Sequence, residues 1–340
     1  MPKTILEVSQ LSKHFSRHRS MFSALQRNRR AEIIPAVDNV SFYLRENETM
    51  GLVGESGCGK TTIGRTILRL TKPTSGKVIF DGRDITHLSD QELRPLRKDM
   101  QLIFQDLDAG LNPKMRVQSI LSEAVSVYER LSDAEIKVKT RMLLDQVNLK
   151  YSKLSSYPSE LSGGEKRRVG IARVLAVGAK LIVADEPTSA LDVSIQAQMV
   201  NLLRELQKQL GLSYLFISHD LQVVELMSHK VAVMYLGKIV EMGLTEHVAS
   251  AARHPYTYIL WSSLVEKLSL EALHPLKLDR RANWGVFDFE RPTRGCRFAP
   301  RCPVYERLGK PEECTDPANE PQLRDVGEGH QVACHFPLIG

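Results

Sequence analysis

The sequence contains no run of about 20 consecutive apolar residues, the length that a membrane-spanning helix needs. Its first residues, MPKTILEVSQ, turn polar quickly and contain no apolar core of the kind that a secretory signal carries. Aromatic residues make up only 6% of the chain, and only five of its 340 residues are cysteine. We therefore expect a protein that does not itself span a membrane and that stays on the cytosolic side.

Excess charge of one sign is also small. Lysine and arginine number 46 against 40 acidic residues, a net charge of +6, and hydrophobic residues make up 42% of the chain. This balance excludes a disordered protein and is typical of one large globular domain or two smaller ones. The positive charge is concentrated in a polar stretch, residues 16–35, that resembles an inserted loop. It could contact nucleic acid, anionic lipid or an acidic partner, or lie in solvent. Its arginines are Arg17, Arg19, Arg27, Arg29 and Arg30.

Short apolar runs that end abruptly in polar residues predict strands buried on both faces of a parallel sheet. The runs are MGLVG (50–54), LIF (102–104), LIVA (181–184) and YLFI (214–217). Further strands are predicted at 4–15 and 36–44, and a hairpin at 231–243. Helical spacing predicts two helices over 116–149, with an N-cap at Ser132-Asp133, and one helix from Ile195 to Leu210 that ends at Gly211. Alternating strands and helices predict an open α/β sheet.

The segment GESGCGKT, residues 54–61, matches the phosphate-loop pattern G-x-x-x-x-G-K-[ST] at every fixed position. An apolar strand precedes it and a helical pattern follows it, as that motif requires. Its glycines allow the backbone N–H groups to point at phosphate oxygens, and the helix N-terminus favours an anion. Lys60 is predicted to bridge the β- and γ-phosphates, and the Thr61 hydroxyl to bind Mg²⁺.

Two further strand ends carry polar groups. Asp185 and Glu186 directly follow the apolar run LIVA, and His219 follows YLFIS. Beside a phosphate loop, Asp185 would hold Mg²⁺ through water and Glu186 would activate the attacking water. These groups all follow the carboxyl ends of predicted strands, where open parallel sheets bind their ligands.

A second glycine-containing segment, LSGGE at 161–165, precedes the helical pattern KRRVGIARVLA. Its glycines allow a ligand to approach the backbone, and Ser162 can cap the helix. This segment with its IARVLA continuation resembles the signature of the ATP-binding cassette (ABC) family. The other family elements are also present. They are Phe15, where an aromatic stacks on adenine, Gln105 in LIFQD, the D-loop Ser189–Asp192 and the switch histidine His219.

The resemblance implies a phosphate-loop NTPase fold of the ABC type. Such a fold has a mostly parallel core sheet, an antiparallel β subdomain and a helical subdomain, here about 110–178. It also implies ATP and Mg²⁺ as ligands, with Glu186, His219 and Gln105 as catalytic residues and Thr61, Gln105 and Asp185 at the magnesium ion. The nucleotide would be bound by Phe15, Gly54, Glu55, Ser56, Gly57, Cys58, Gly59, Lys60, Thr61, Thr62, Gln105, Ser162, Gly163, Gly164, Asp185 and Asp192.

In this family two cassettes pack head to tail, so that Ser162, Gly163 and Gly164 touch the γ-phosphate held by the partner. One loop and one signature in this chain therefore imply a second ATPase chain. The sequence departs from the common pattern at Glu165, where many members have glutamine. Its neighbours are intact, and we expect activity to be retained.

Finer resemblance is to the ATPase subunits of bacterial oligopeptide and dipeptide importers, and among these to the second, F-type subunit. It is carried by VGESGCGKTT, RLTKPTSGKVIFDG, LIFQDLDAGLNPKM, HPYT (254–257) and a cysteine-bearing tail. It implies a cassette over 4–250, an extension over 251–340, and a peripheral position on the cytoplasmic face of the bacterial inner membrane. The implied partners are a paralogous ATPase, two permease subunits and, indirectly, a solute-binding protein. Related importers carry nickel, glutathione, opines or sugars. The segment after Gln105 departs from the usual QDPYASLNPR, which leaves the identity of the membrane partner open.

The tail carries four of the five cysteines, Cys296, Cys302, Cys314 and Cys334, without the paired C-x-x-C of common zinc sites. In the importer family this tail resembles an extension that can hold a [4Fe–4S] cluster, for which four thiolates are the right number. Zinc and reduced free thiols are the alternatives, and His330 and His335 are alternative ligands. Arg294, Arg297 and Arg301 would offset the charge of a cluster or lie in solvent. Cys58 is interpreted as a small space-filling residue of the phosphate loop.

Three other functions compete with import. A soluble cassette ATPase of DNA repair or translation would use the basic stretch, but it usually carries a coiled coil, a zinc module or a second cassette, which this chain lacks. A redox-sensing subunit would have a silent ATP site. An exporter ATPase would not be expected to carry the cysteine tail.

Overall fold

The computed structural model describes residues 3–17, 32–104, 110–189, 191–262 and 295–338. The backbone forms two compact units, each made of separate stretches of chain. The first unit contains Met1–Lys13, Asn39–Met50 and Thr61–Ser218. The second contains His14–Asp38, Gly51–Lys60 and His219–Gly340, so that residues 54–60 of the phosphate loop and the cysteine tail belong to the same unit.

The predicted strands and helices are present in the predicted order, together with shorter elements that were not predicted. The strands are β1 (Thr4–Arg17), β2 (Glu32–Arg45), β3 (Thr49–Val53), β4 (Ser75–Phe80), β5 (Arg83–Asp84), β6 (Met100–Ile103), β7 (Leu181–Asp185), β8 (Ser213–Ile217), β9 (Lys230–Tyr235), β10 (Lys238–Leu244), β11 (Arg324–Asp325) and β12 (Gln331–Val332). The α-helices are α1 (Lys60–Ile67), α2 (Asp90–Leu93), α3 (Val117–Ser126), α4 (Asp133–Gln146), α5 (Gly163–Leu175), α6 (Val193–Leu210), α7 (Leu221–Met227), α8 (Thr245–Ser250), α9 (Pro255–Ser262) and α10 (Pro303–Arg307). Short 3-10 turns are at Tyr151–Ser155, Pro158–Glu160, Ala299–Arg301 and Glu312–Cys314.

The parallel core of the first unit consists of β6, β7 and β8. Leu102 lies opposite Val183, and Val183 lies opposite Leu215, in parallel register. All residues of β7 and β8 are buried, which explains why their sequences are continuous apolar runs rather than alternating ones. The start of β3 lies beside β8, where the N–H of Tyr214 donates to the carbonyl oxygen of Glu48 at 3.0 Å.

The first unit also contains an antiparallel sheet in the order β2-β1-β4-β5. Leu6 pairs with Phe80 and Val8 with Val78, and all four side chains are buried. The alternation of these residues with exposed ones produces a sheet with one apolar face. The antiparallel subdomain that the family resemblance implied is therefore present.

The helical part of the first unit contains α3, α4 and α5, which pack on one another through buried apolar side chains such as Leu121, Leu144 and Val169. Ser132 is the N-cap of α4 and forms a capping box with Glu135, as the sequence predicts. Gly211 ends α6 in the left-handed region at φ 67°, which a residue without a Cβ adopts at little cost.

In the second unit, the end of β3 is followed in the sheet by β9, β10, β12 and β11. The predicted hairpin at 231–243 is confirmed as β9 and β10. The tail contributes β12, in which Val332 pairs with Glu241 of β10. The extension is therefore hydrogen-bonded into the sheet and does not form a separate unit, a connection that the fading periodicity after residue 270 did not predict.

The first two strands are longer than predicted. Residues 16–17 end β1 and residues 32–35 begin β2, so the predicted loop over 16–35 is too long at both ends. Arg19, Arg27, Arg29 and Arg30 lie outside the described residues. Among the residues that the structure describes, no helix has the length and apolar character needed to cross a membrane.

Candidate functional site

The phosphate loop leaves the end of β3 in a conformation that only glycine permits at two positions. Gly54 has φ 148°, and a Cβ there would lie 2.1 Å from the carbonyl oxygen of Met234. Gly59 has φ 114°, and a Cβ there would lie 2.1 Å from the carbonyl oxygen of Ala36. Both positions require glycine because the loop packs directly on neighbouring backbone.

Lys60 fixes the inside of this loop. Its Nζ donates hydrogen bonds to the carbonyl oxygens of Gly54 at 2.7 Å and Glu55 at 3.0 Å, and the residue is only 6% exposed. Cys58 is buried against it, with Sγ 3.8 Å from Nζ, and burial raises the pKa of the Cys58 thiol. Cys58 therefore packs as a neutral thiol, consistent with its predicted role as a space-filling residue.

In the first unit, the next residue of the motif meets the carboxylate at the end of β7. The Thr61 hydroxyl donates to Asp185 Oδ1 at 3.1 Å, although the two residues are 124 positions apart in the chain. Asp185 is 4% exposed, and a buried carboxylate is costly without a compensating partner. Hydroxyl and carboxylate oxygens are ligands that Mg²⁺ prefers, so this pair fits the predicted magnesium site.

Glu186 has an unusual backbone conformation. Its φ is 48°, in the left-handed region that residues with a Cβ rarely adopt. Its N–H donates to the carbonyl oxygen of Ile217 at the end of β8, at 2.9 Å. Its own carbonyl oxygen accepts hydrogen bonds from the Ser189 N–H at 3.1 Å and the Ser189 hydroxyl at 3.0 Å. These bonds hold the backbone in a conformation that sets the direction of the half-buried Glu186 side chain, as is common at functional sites.

The signature segment begins α5 with a complete capping box. Ser162 Oγ accepts a hydrogen bond from the Glu165 N–H, and the Glu165 carboxylate accepts one from the Ser162 N–H. The Ser162 N–H is the first cause of the lowered pKa of Glu165, and Lys153, 2.9 Å from the carboxylate, lowers that pKa further. A capping box accepts glutamate or glutamine at this position, which explains why the departure at Glu165 leaves the helix start intact. Ser162 and Gly163 are exposed.

Other predicted residues lie outside the phosphate loop and the signature. His219 is exposed two residues after β8 ends, and Phe15 is 44% exposed on β1. Asp192 is the N-cap of α6, where its carboxylate accepts from the Ile195 N–H at 2.9 Å, so it has a structural role in this conformation. Gln105, the predicted catalytic and magnesium-binding glutamine, lies outside the described residues.

Sequence reasoning missed Arg167, on the helix that follows the signature. Its guanidinium donates to the carbonyl oxygen of Pro187 at 2.8 Å and also to that of Ser189. These carbonyls belong to the segment directly after Glu186, so the signature helix is hydrogen-bonded to Pro187 and to Ser189, the first residue of the D-loop. The run KRR in the sequence marks a basic helix face but does not show which arginine turns inward.

The four tail cysteines lie in one neighbourhood but do not form a metal site as placed. Burial raises the pKa of Cys296, raises that of Cys302 and Cys314 to about 11, and raises that of Cys334 to about 12. The other three thiols raise the pKa of Cys334 further, which requires that they be near it. Among the described residues, no three histidine, cysteine or acidic groups are arranged to hold a metal ion, and the cysteines are free of disulfides.

The predicted accessory groups of the tail have other partners. His330 Nε2 is 2.6 Å from Glu241 Oε1, and His335 Nε2 is 2.9 Å from the carbonyl oxygen of Asn319. Arg297 binds Asp38, and Arg301 binds Glu55 of the phosphate loop. These two arginines therefore pair with carboxylates rather than lie in solvent, and Arg294 is outside the described residues.

Known proteins match this sequence over nearly the whole chain. The ABC transporter family profile matches residues 37–189, which include the phosphate loop and the signature. The profile of the oligopeptide/dipeptide transporter C-terminal region matches residues 240–307. The oligopeptide transport ATP-binding protein AppF of Bacillus subtilis is 42% identical, with 98% of each chain covered. A putative peptide import ATP-binding protein of Brucella ovis is 42% identical, with 97% of each chain covered.

The chain belongs to the ABC transporter ATPases. Solved structures agree with this assignment. A dimeric ATP-binding cassette, MJ0796, bound to ADP and Pi has a TM-score of 0.62 at 27% identity, over 71% of this chain and 98% of that one. The cbiO1 cassette of Clostridium perfringens has a TM-score of 0.62 at 26% identity, over 78% of this chain and 96% of that one. The predicted fold class and the assignment as an ATPase are therefore confirmed, and this ABC ATPase carries the C-terminal region of the oligopeptide/dipeptide group.

Proposed function

We propose that this ABC ATPase hydrolyses Mg·ATP to drive the import of peptides through partner permease subunits. The hydrogen bond between Thr61 and Asp185 carries the chemical half of this proposal, because it joins the hydroxyl and the carboxylate that a magnesium nucleotide needs. The oligopeptide/dipeptide C-terminal region and the names of the relatives support the peptide half. Nickel, glutathione, opines and sugars remain the alternative cargoes.

In this mechanism the phosphate loop and Lys60 would hold the β- and γ-phosphates, and Thr61 and Asp185 would hold Mg²⁺. When bound, the ion neutralises charge that develops on the phosphate oxygens. The Glu186 carboxylate, directed by its left-handed backbone, accepts the proton of the attacking water. His219 donates a hydrogen bond to a γ-phosphate oxygen as its charge rises.

Residues outside the phosphate loop complete the proposed nucleotide-binding site. By the family resemblance, Phe15 would stack on the adenine, and Gln105 would contact the magnesium ion and the attacking water. The exposed Ser162 and Gly163, with Gly164, receive the γ-phosphate that a second ATPase subunit binds. We propose that this subunit is a paralogue, because the chain resembles the F-type member of a pair.

The assembly would contain two permease subunits and, outside the membrane, a solute-binding protein. The ATPase would lie as a peripheral protein on the cytoplasmic face of the inner membrane. Co-purification of the full chain from membranes, with identification of its partners by mass spectrometry, tests this composition. Recovery of nucleic acid without any membrane protein would overturn it in favour of a soluble ATPase.

Reconstituted complexes test the function itself. Glu186→Gln is expected to lower ATP turnover at least about 100-fold, because general bases contribute roughly 10²–10⁴ to the rate. ATP-dependent uptake of labelled peptides into proteoliposomes should disappear with it. The matched control is Glu205→Gln, an exposed glutamate on α6, which should leave turnover and uptake unchanged. Full turnover in Glu186→Gln would contradict the proposed role.

We further propose that Cys296, Cys302, Cys314 and Cys334 bind one [4Fe–4S] cluster. The number of thiols and their closeness to one another support it, whereas their present placement requires the thiols to move before they could share a metal. Protein purified without oxygen should be brown, contain about four irons and lose them in Cys314→Ser. Stoichiometric zinc, or a colourless protein with reactive thiols, would identify the alternative occupants.

A further inference from the structure

Two side chains from the C-terminal half of the second unit hold Glu55, the second residue of the phosphate loop. Arg301 Nη1 and Nη2 each donate a hydrogen bond to one oxygen of the Glu55 carboxylate, both at 2.9 Å. The Glu55 N–H donates to the Tyr256 hydroxyl, also at 2.9 Å. Glu55 is therefore fixed through both its side chain and its main chain.

A cluster of aromatic rings keeps these two groups in place. The Arg301 guanidinium lies over the Tyr235 ring, 5.8 Å from its centroid, and donates to the Tyr235 hydroxyl at 3.4 Å. The Tyr235 ring packs on Tyr256 with centroids 4.7 Å apart and meets the edge of buried Phe298 at 5.3 Å. Stacked, partly buried guanidinium groups lose little freedom when they form a bidentate pair.

Tyr256 is in turn positioned by buried hydrogen bonds. Its N–H donates to His254 Nδ1 at 3.0 Å, and the His254 N–H donates to Glu241 at 2.9 Å. Both His254 and Glu241 are almost completely buried. The hydroxyl that accepts the Glu55 N–H is thus the end of a fixed network and not a mobile surface group.

Because Glu55 belongs to the phosphate loop, its contacts with Arg301 and Tyr256 affect the binding of a nucleotide there. The loop binds an anion through its N–H groups and Lys60, and a carboxylate in the same loop repels that anion. Arg301 neutralises the carboxylate. In addition, Lys60 donates to the Glu55 carbonyl oxygen, so a shift of residue 55 would also move a partner of Lys60.

We propose that Arg301 and Tyr256 are positioning residues of the ATP site, through which the C-terminal region sets the nucleotide affinity of the cassette. This inference depends on ATP binding at the phosphate loop, as in the proposed function. It concerns affinity rather than chemistry, because neither side chain is required to touch the reacting atoms. Arg301 ends the 3-10 turn Ala299–Arg301 and directly precedes Cys302.

The test is the Kd of a fluorescent ATP analogue measured on the full chain. Arg301→Ala should weaken binding about tenfold, which corresponds to ~1.4 kcal/mol, and Arg301→Lys should fall between Arg301→Ala and the native chain. ATP turnover should show a raised KM with kcat changed less than about twofold, since the lost interaction acts on binding. Arg307→Ala, at an exposed arginine of α10, is the matched control and should bind like the native chain.

Two further variants separate charge from position. Glu55→Gln in the Arg301→Ala background should regain most of the lost affinity, because it removes the uncompensated carboxylate. Tyr256→Phe keeps the ring and removes only the acceptor, and should weaken binding several-fold. Affinity within twofold of native in both Arg301→Ala and Tyr256→Phe would overturn the proposal, and a double variant as weak as Arg301→Ala would overturn its electrostatic part. A native chain that fails to bind the analogue would instead refute the proposed function.

Discussion

Glu241 offers a severe test of how the second unit is held together. Its carboxylate is fully buried and accepts three hydrogen bonds, from the N–H of Arg253 at 2.6 Å, the N–H of His254 at 2.9 Å and His330 Nε2 at 2.6 Å. These donors come from the segment that leads into α9 and from the tail. One side chain therefore joins β10 to both sequences.

Glu241→Ala removes the acceptor and leaves all three donors buried. Each buried donor that is left unsatisfied costs about 1–3 kcal/mol, and three donors lose their acceptor here. Because water that enters the cavity would satisfy some of the donors, we expect a loss of about 4 kcal/mol. Glu241→Gln retains one acceptor oxygen but introduces donors that face donors, so its loss should be smaller but still above about 1 kcal/mol.

The assay is urea unfolding followed by the fluorescence of Trp261, which lies in the same unit and donates to Glu225 at 2.6 Å. Glu246→Ala is the control, because that side chain is 81% exposed on neighbouring α8 and should change stability by less than about 0.5 kcal/mol. A loss below about 1 kcal/mol in Glu241→Ala would show that the three donors find other acceptors. The argument that the buried carboxylate organises this unit would then fail.

Two other predictions concern single charges. Burial lowers the pKa of His254 to about 4 from 6.5, so below pH 6.5 the unfolded chain binds a proton that the folded chain excludes; stability should fall by about 3 kcal/mol between pH 6.5 and pH 4. The assay is the urea midpoint of unfolding measured as a function of pH. The control variant His247→Gln should show the same dependence of the midpoint on pH as the native chain. A native midpoint that does not change between pH 6.5 and pH 4 would contradict the prediction. Glu165→Gln preserves the capping box and should change stability by less than about 0.5 kcal/mol and ATP turnover by less than twofold, whereas Glu165→Ala should cost about 1 kcal/mol. Urea unfolding curves and ATP turnover assays test these values. An inactive Glu165→Gln would show that ATP turnover needs the negative charge of Glu165.

The sequence predicts local features of this chain well because each depends on neighbouring residues. A continuous apolar run such as LIVA has one stable environment, a strand buried on both faces, and β7 provides it. The signature start and the Ser132 cap depend on residues three apart, and both form. The pairing of Thr61 with Asp185 was predictable although the two residues are 124 positions apart in the chain, because parallel strands bring their carboxyl ends to one edge of the sheet.

Contacts between distant side chains were not predictable in this way. Arg301 and Glu55 are 246 residues apart, and the sequence around either residue does not indicate that the other is its partner. From the sequence alone, Arg301 is expected to offset the charge of a cluster or to lie in solvent. The contact arises because the tail adds β12 to the edge of β10 and so brings the cysteine segment into the unit that contains the phosphate loop.

This arrangement changes how the cysteine tail should be understood. A tail that formed its own domain could lose its metal or its fold without consequence for ATP. Here Arg301, the residue before Cys302, binds the carboxylate of Glu55 in the phosphate loop. The hydroxyl of Tyr256, in the HPYT segment, accepts a hydrogen bond from the N–H of the same Glu55. A chemical change that displaces Arg301 together with the cysteine segment is therefore expected to break the Arg301–Glu55 pair and so to alter the phosphate loop.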